Sequence, residues 1–273
     1  MNNRKQRAKI AQETIEILER GNYQNRLGET VDITEAITAA ISGSIYYDSF
    51  YRVFSDLDLL VRDLPPLQTE FSVTNETTLH AASQLVKLDA NRKILCLNFA
   101  SAMSPGGGFL SGSQAQEESL ARATAIYPCL SQMNQMYETN RQLNSPLFTN
   151  NMIYSPKVPV FRDDDDILLD KPFSISILTT PAVRVNAVVD PEEIKSIPQV
   201  MFERTEMLLS IAAIHGYKVL VLGAWGCGVF GNNPTQVATD FYHHLVKNSL
   251  LNRCFTKVVF AVLDSSTSVI TPF

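Results

Sequence analysis

The chain has 273 residues, 45% hydrophobic and 19% charged, and 23 Lys and Arg against 28 Asp and Glu leave a net charge of −5. That length suits one large domain or a domain with an extension. The acidic balance argues against a protein that tracks a long nucleic-acid backbone, so a polyanionic ligand would be gripped locally, and no sequence-specific nucleic-acid binding is expected.

The first residues are polar and basic, without the apolar core of a signal peptide, and no apolar run reaches membrane-spanning length. Cys96, Cys129, Cys227 and Cys254 form no CxxC pair. Neither a zinc site nor a disulfide framework is indicated, and reduced thiols in the cytosol are the simplest reading, with the nucleus left open. Apolar residues at helical spacing predict a helix over 4–20, stopped by Gly21-Asn22. Its cluster Arg4, Lys5, Arg7 and Lys9 reads as a solvated face. A second helix is predicted over 33–42, with Asp32 as its N-cap. Segment 45–66 is aromatic and acidic and ends at Pro65-Pro66.

From about residue 70 strands and helices alternate. Strands are predicted at 71–74, 93–99, 152–155, 158–161, 173–178, 218–222 and 257–263. Helices are predicted at 78–88, 116–127, the second part of 191–215, and 234–250, with Pro128 ending or kinking the helix before it. Asp163 to Asp166 reads as a solvated acidic turn, lacking EF-hand spacing. His80 and His215 read as structural, and His243-His244 as a surface or boundary pair. The alternation predicts an α/β fold with a mixed sheet. Residues 1–69 read as an N-terminal helical extension and 70–273 as the catalytic core.

In such sheets ligands gather beyond the carboxyl ends of the strands. Two loops there hold eight of the chain's twelve glycines. One spans 104–112 and contains Gly106-Gly107-Gly108. The other spans 223–231. Glycine runs are poor in helices and strands but suit a backbone that must pass close to a ligand, and paired glycine loops can grip a diphosphate through N–H groups. After a seven-residue spacer, Gln116-Glu117-Glu118 opens a helix. Acids there also offset the helix dipole, and Glu118 could simply pair with Arg122. The glycine loop beside them favours chemistry.

The run NFASAMSPGGGFLSGSQAQEESLARATAIYP (98–128) resembles the microbial, bacterial-type poly(ADP-ribose) glycohydrolases, a branch of the macrodomains. Their motif is GGG, six to eight residues, then QEE. MIYSPKVPVFRDD (152–164), LGAWGCGVFGN (222–232) and the opening helix are similar to that family too. The resemblance implies a three-layer α/β/α macrodomain-like fold with a mixed central sheet, no cofactor and no metal. Its implied partners are ADP-ribose and poly(ADP-ribose) chains, with ADP-ribosylated proteins as a further class. It implies that Gly106, Gly107 and Gly108 line the distal ribose and diphosphate, and that Asn98 bonds that ribose. Gly226, Cys227, Gly228, Val229, Phe230 and Gly231 would form the second phosphate loop, with Phe230 near the ribose. Gln116 joins the ligand-binding set, Glu118 matches the catalytic glutamate, and Glu117 its ribose-orienting neighbour. The adenine end is implied to lie by the N-terminal segment and the end of the last strand, near 263–265.

Glycosidases usually place two carboxylates across the scissile bond. Sequence neighbours on a helix are expected to point in different directions. One acid–base residue, Glu118, is therefore expected, with a pKa raised by apolar burial. Three other readings stand beside this one. A mono-ADP-ribosyl hydrolase would use the same pocket. A non-catalytic ADP-ribose-binding module would not need the acid pair. A dinucleotide oxidoreductase would need a GxGxxG loop opening a helix directly, which the long spacer contradicts.

Overall fold

A computed structural model describes residues 3–48 and 50–273. The elements run α1 (Arg4–Arg20), β1 (Asn22–Gln24), β2 (Thr30–Asp32), α2 (Thr34–Ser42), β3 (Ile45–Tyr47), α3 (Phe50–Val61), β4 (Glu70–Thr74), α4 (Thr78–Leu88) and β5 (Ile94–Phe99). Then follow α5 (Gln116–Ala123), α6 (Ile126–Ser131), α7 (Asn134–Leu143), β6 (Met152–Arg162), β7 (Leu168–Thr180), α8 (Pro191–Ile214), β8 (Val219–Leu222), α9 (Pro234–Tyr242) and β9 (Lys257–Ala261).

β5 shows why the sheet sits in the middle. Its residues are apolar on both faces of the pleat. Ile94 and Cys96 enter one core, while Leu95 and Leu97 enter the other. Each core is closed by helices. α1, α2 and α4 to α7 cover the first face, and α3, α8 and α9 the second. The result is an α/β/α sandwich around a seven-stranded sheet of order β3-β6-β7-β5-β8-β9-β4. β7, β5, β8, β9 and β4 are parallel, whereas at one edge β6 is antiparallel to β7 and β3 is antiparallel to β6.

Several elements depart from the sequence pattern. The two short strands predicted at 152–155 and 158–161 are one strand, β6, carrying a register shift between Ser155 and Val158. Pro156 and Pro159 mask its continuity in the sequence, and proline is tolerated beside such a bulge. The helix predicted over 116–127 breaks in two, because Thr124 leaves the helix to bridge Val160. Pro128 then lies in the first turn of α6, where proline costs nothing, rather than ending a helix. α8 is helical from Pro191 onward, capped by the Asp190 side chain on Glu192 N at 2.8 Å. His244 is buried, its Nε2 3.0 Å from the Phe202 carbonyl, which places it inside rather than at the surface. Among the described residues no helix is long and apolar enough to cross a membrane.

The first 69 residues are tied closely to the rest of the chain. β3 pairs with β6 and extends the sheet. α1 starts on an Asn3 cap, ends on left-handed Gly21, and lies along the loop after the glycine triplet. Its basic cluster is only partly solvated. Arg4 Nε donates to the Ser111 carbonyl at 2.9 Å and Arg7 Nε to the Gly112 carbonyl at 2.8 Å. The backbones come so close that a Cβ on Gly112, whose φ is +75°, would sit 2.0 Å from the Arg4 carbonyl oxygen. Substituting Gly112→Ala is expected to destabilise the fold by about 2 kcal/mol or more, read as a lowered midpoint in thermal or urea unfolding.

Candidate active site

β5 and β8 are parallel neighbours, so their carboxyl ends open on the same edge of the sheet. The triplet loop leaves one and the second glycine loop leaves the other. Gly106 and Gly107 have φ of +70° and +59°, and Gly226 and Gly231 have φ of +74° and +77°, conformations that glycine adopts without strain.

The second loop is braced from behind. Asn232 Nδ2 donates to the carbonyls of Val183 at 2.7 Å and Gly226 at 3.2 Å. The fully buried Trp225 donates its indole N–H to the Thr180 carbonyl at 3.2 Å, in keeping with a packing role. Cys227 is partly buried, and burial pushes its thiol up to about 12, so it is no thiolate nucleophile at neutral pH. At the crest of the loop, the backbone N–H groups of Gly228, Val229 and Phe230 have no hydrogen-bond partner among the described residues. Val229 is 73% exposed there. Three consecutive free N–H groups on an exposed loop form a cradle suited to an anion.

The two glutamates stand in the first turn of α5. Glu117 is 3% exposed. It accepts the Ser101 N–H at 2.6 Å and the Asn98 side-chain N–H at 3.3 Å. Burial raises its pKa from 4.5 to about 8, against the opposing pull of the Ser101 hydrogen bond, and the nearby Glu118 charge adds to the rise. Glu118 is only half-buried and accepts the Gly108 N–H at 3.0 Å.

The expectation that these carboxylates diverge is wrong. A Cβ on Gly107 would lie 2.6 Å from Glu118 Oε1 and 3.0 Å from Glu117 Oε2, so both carboxylates converge on this one glycine. Side chains in the first turn of a helix are free to reach back along the preceding loop, and nothing on Gly107 stands in the way. Glu117 is the glutamate that the fold turns inward, and burial there pushes its carboxyl up. The suggested Glu118–Arg122 pair is absent too. Arg122 is buried and donates to the Ser113 carbonyl at 3.0 Å and to Gln114 Oε1 at 2.5 Å, with Asp166 at 4.0 Å. It holds the spacer between triplet and acid pair, not the acid.

Asn98, at the end of β5, is fully buried. Its amide N–H groups reach Glu117 and Thr179 Oγ1, the latter at 3.2 Å, while its Oδ1 has no partner. Gln116 has its amide engaged within the chain. Its oxygen accepts the Phe99 N–H at 2.9 Å, and its nitrogen donates to the Leu97 carbonyl at 2.7 Å and to Thr78 at 3.1 Å. It straps the start of α5 to the end of β5. A cavity of about 700 Å³ opens beside these residues and is lined in part by Phe99, Gln116, Ala224, Gly228, Val262 and Leu263. That volume suits a small organic ligand. Glu117 and Glu118 are not in its lining and stand at its margin.

The family model for the microbial-type PARG catalytic domain matches residues 11–163. The chain belongs to this family. Poly(ADP-ribose) glycohydrolase (PARG) from Thermomonospora curvata is 41% identical over 98% of this chain and 99% of its own, with a TM-score of 0.91. The same organism's enzyme solved with the inhibitor ADP-HPD is 42% identical, covers 97% of this chain and 96% of that one, and has a TM-score of 0.89. The Deinococcus radiodurans PARG solved with ADP-ribose is 39% identical over 87% of this chain and 95% of its own, with a TM-score of 0.79. No curated protein matches the sequence.

Within this PARG fold the residues singled out from the sequence gather at one edge of the sheet. Gly106 to Gly108, Asn98, Gln116, Glu117 and Glu118 cluster at and beyond the end of β5, and Gly226 to Gly231 lie beyond the end of β8; of these, Gln116 and Gly228 line the cavity. Ser101 and Thr179 escaped notice, though Ser101 lies inside the motif run. Thr179 enters only because β7 pairs with β5 in a register that sets it opposite Asn98. The protonated form of Glu117 is favoured by folding between pH 4.5 and about 8. The folded chain binds more protons there than the unfolded one, so this residue's contribution to stability falls as pH rises through that window. A Glu117→Gln variant is therefore expected to gain stability relative to wild type between these limits, measured as the difference in Tm across a pH series.

Proposed function

We propose that the protein hydrolyses the ribose–ribose O-glycosidic bonds of poly(ADP-ribose) and releases ADP-ribose, with Glu118 as general acid and base. The observation that carries this reading is the convergence of Glu117 and Glu118 on Gly107, beside the end of β5, with an exposed row of unpaired N–H groups in the loop that leaves the neighbouring strand β8. An ADP-ribose unit needs these two things side by side, a diphosphate grip and an acid at the adjoining sugar.

In this reading the N–H groups of Gly228, Val229 and Phe230 bind the diphosphate, and the distal ribose rests over the glycine triplet. The adenosine end extends into the cavity beside Val262 and Leu263. Glu117, anchored by Ser101 and Asn98, orients the ribose, and the unpaired Asn98 Oδ1 accepts one of its hydroxyl protons. Glu118 acts first as the acid. It donates its proton to the departing ribose oxygen as the bond to the anomeric carbon breaks, leaving an oxocarbenium-like sugar. The diphosphate charge offsets the positive charge that develops. The resulting Glu118 carboxylate then takes a proton from the water that attacks the anomeric carbon. The sugar hydroxyl forms, and the acid is restored. One residue performs both transfers because the leaving oxygen and the incoming water approach the same carbon. The 1–69 segment acts as an extension that holds the triplet loop for a catalytic core of 70–273.

Incubation with poly(ADP-ribose) and, separately, with mono-ADP-ribosylated protein tests the reading through release of free ADP-ribose. Polymer hydrolysis is expected. Release from the mono-modified protein alone would transfer the assignment to a mono-ADP-ribosyl hydrolase, and release from neither would leave only a binding module. A Glu118→Gln variant should lose turnover by about 10³-fold while binding ADP-ribose within a few-fold of wild type. Turnover close to wild type would remove Glu118 from the chemistry. Gly107→Ala should lose activity to a similar degree, about 10²-fold or more, because the added methyl would push both carboxylates off their positions. The check is kcat on polymer with circular dichroism to establish that the variant is folded.

A further inference from the structure

Arg204, on α8, is 0% exposed, and among the described residues no carboxylate pairs with it. Burying a guanidinium without a counter-charge is costly, so its hydrogen bonds should reveal what it is kept for. Nε donates to Asn150 Oδ1 at 2.8 Å. One terminal nitrogen donates to the Pro181 carbonyl at 2.9 Å, and the other to the carbonyls of Leu147 at 2.8 Å and Phe148 at 3.2 Å. Three of these four bonds therefore go to the loop between α7 and β6, and the fourth to the exit of β7.

The segment held in this way has an unusual backbone. Phe148 has φ of +58°, in the left-handed region that a bulky side chain seldom enters. The conformation is fixed on both sides. The Phe148 N–H bonds the Ser145 carbonyl at 3.2 Å, its own carbonyl is held by Arg204, and the Thr149 N–H bonds Asn140 Oδ1 at 2.8 Å. Strain that the surroundings overdetermine tends to mark a functional site. Here it presents a half-buried aromatic ring to Phe230 of the second glycine loop, with ring centroids 6.2 Å apart.

The helix that leads into this loop, α7, is tied to the acid side of the cleft. Arg141 of α7 donates to the Met103 carbonyl at 2.6 Å, and the Met103 N–H is held by Ser101, whose own N–H bonds Glu117. On the other side, Asn186 bonds the carbonyls of Val229 at 2.6 Å and Phe230 at 3.3 Å, and Arg184 N–H bonds Pro146 at 2.9 Å. α7 and the Phe148 loop that follows it thus connect the Ser101–Met103 segment beside Glu117 with the second glycine loop.

We propose that Phe148 is a specificity-determining residue, which closes the reactive end of the cleft with Phe230 and bears on the distal ribose, the sugar whose glycosidic bond is cut. Arg204 is its positioning residue. The inference rests on the poly(ADP-ribose) glycohydrolase reading. A flat ring against a sugar face adds affinity for that sugar alone, without touching the adenosine or the diphosphate.

ADP-ribose and ADP differ by the distal ribose, so ADP is an internal control for the rest of the cleft. Calorimetric titration of both ligands into wild type, Phe148→Leu and Phe148→Gly forms the test. Leucine keeps apolar bulk against Phe230, and glycine accepts the positive φ without strain. Each variant is expected to weaken ADP-ribose binding by about fivefold and to leave ADP within about twofold. The loss should reappear on polymer as a raised KM. Equal losses for both ligands, or none for either, would overturn the inference. Should the leucine variant fail to fold, the glycine variant decides by the same ratio. Wild type that releases no ADP-ribose from polymer would instead remove the underlying reading, an outcome separate from the behaviour of the variants.

Discussion

The site depends on a missing side chain. Gly107 has no Cβ, and the space it leaves is filled by one oxygen from Glu117 and one from Glu118. Backbone groups fix the pair from either side. Ser101 N–H holds the inner carboxylate and Gly108 N–H the outer one. Backbone donors cannot swing away as side chains do, so both acids are oriented before any ligand arrives. Much of the surrounding scaffold serves to keep this loop still. Arg4 and Arg7 hold the 111–112 carbonyls from α1, Arg122 holds 113–114 from α5, and Gln116 straps α5 to β5.

Burial divides the two adjacent acids into different roles. Glu117 is withdrawn from water and its charged form is penalised, whereas Glu118 stays half-exposed and is held by the Gly108 N–H. Adjacent carboxylates in a uniform environment would repel and behave alike. Both carboxylates meet at Gly107, but Ser101 and Asn98 enclose Glu117 while Glu118 keeps an open side. The same economy of buried polar groups appears across the sheet at Arg204, whose donors go to backbone carbonyls and fasten a strained loop beside the second glycine loop.

Much of the fold could be read directly. The long α1 with its Gly21 stop, the apolar runs of β5 and β8, and both glycine loops lie where local pattern puts them. Errors arose where a distant partner decided the outcome. Thr124 breaks a helix that its neighbours would continue, because β6 offers it a bridge at Val160. β6 runs through two prolines because β7 and a bulge accommodate them. His244 is drawn inside by packing against Phe202, which lies 42 residues away in the chain.

The sequence by itself determined which chemistry is at hand: a glycine triplet, a fixed spacer, an acid pair and a second glycine loop are local patterns that survive in one dimension. The tertiary structure alone decided how those parts act. It converged the two carboxylates on Gly107, raised the pKa of Glu117 by burial, turned a basic N-terminal cluster into a brace for the glycine-triplet loop, and set Phe148 against Phe230. Each of these depends on desolvation or on contacts between residues far apart in the chain. Such quantities have no local signature, because they exist only once the sheet has brought its strand ends to a common edge.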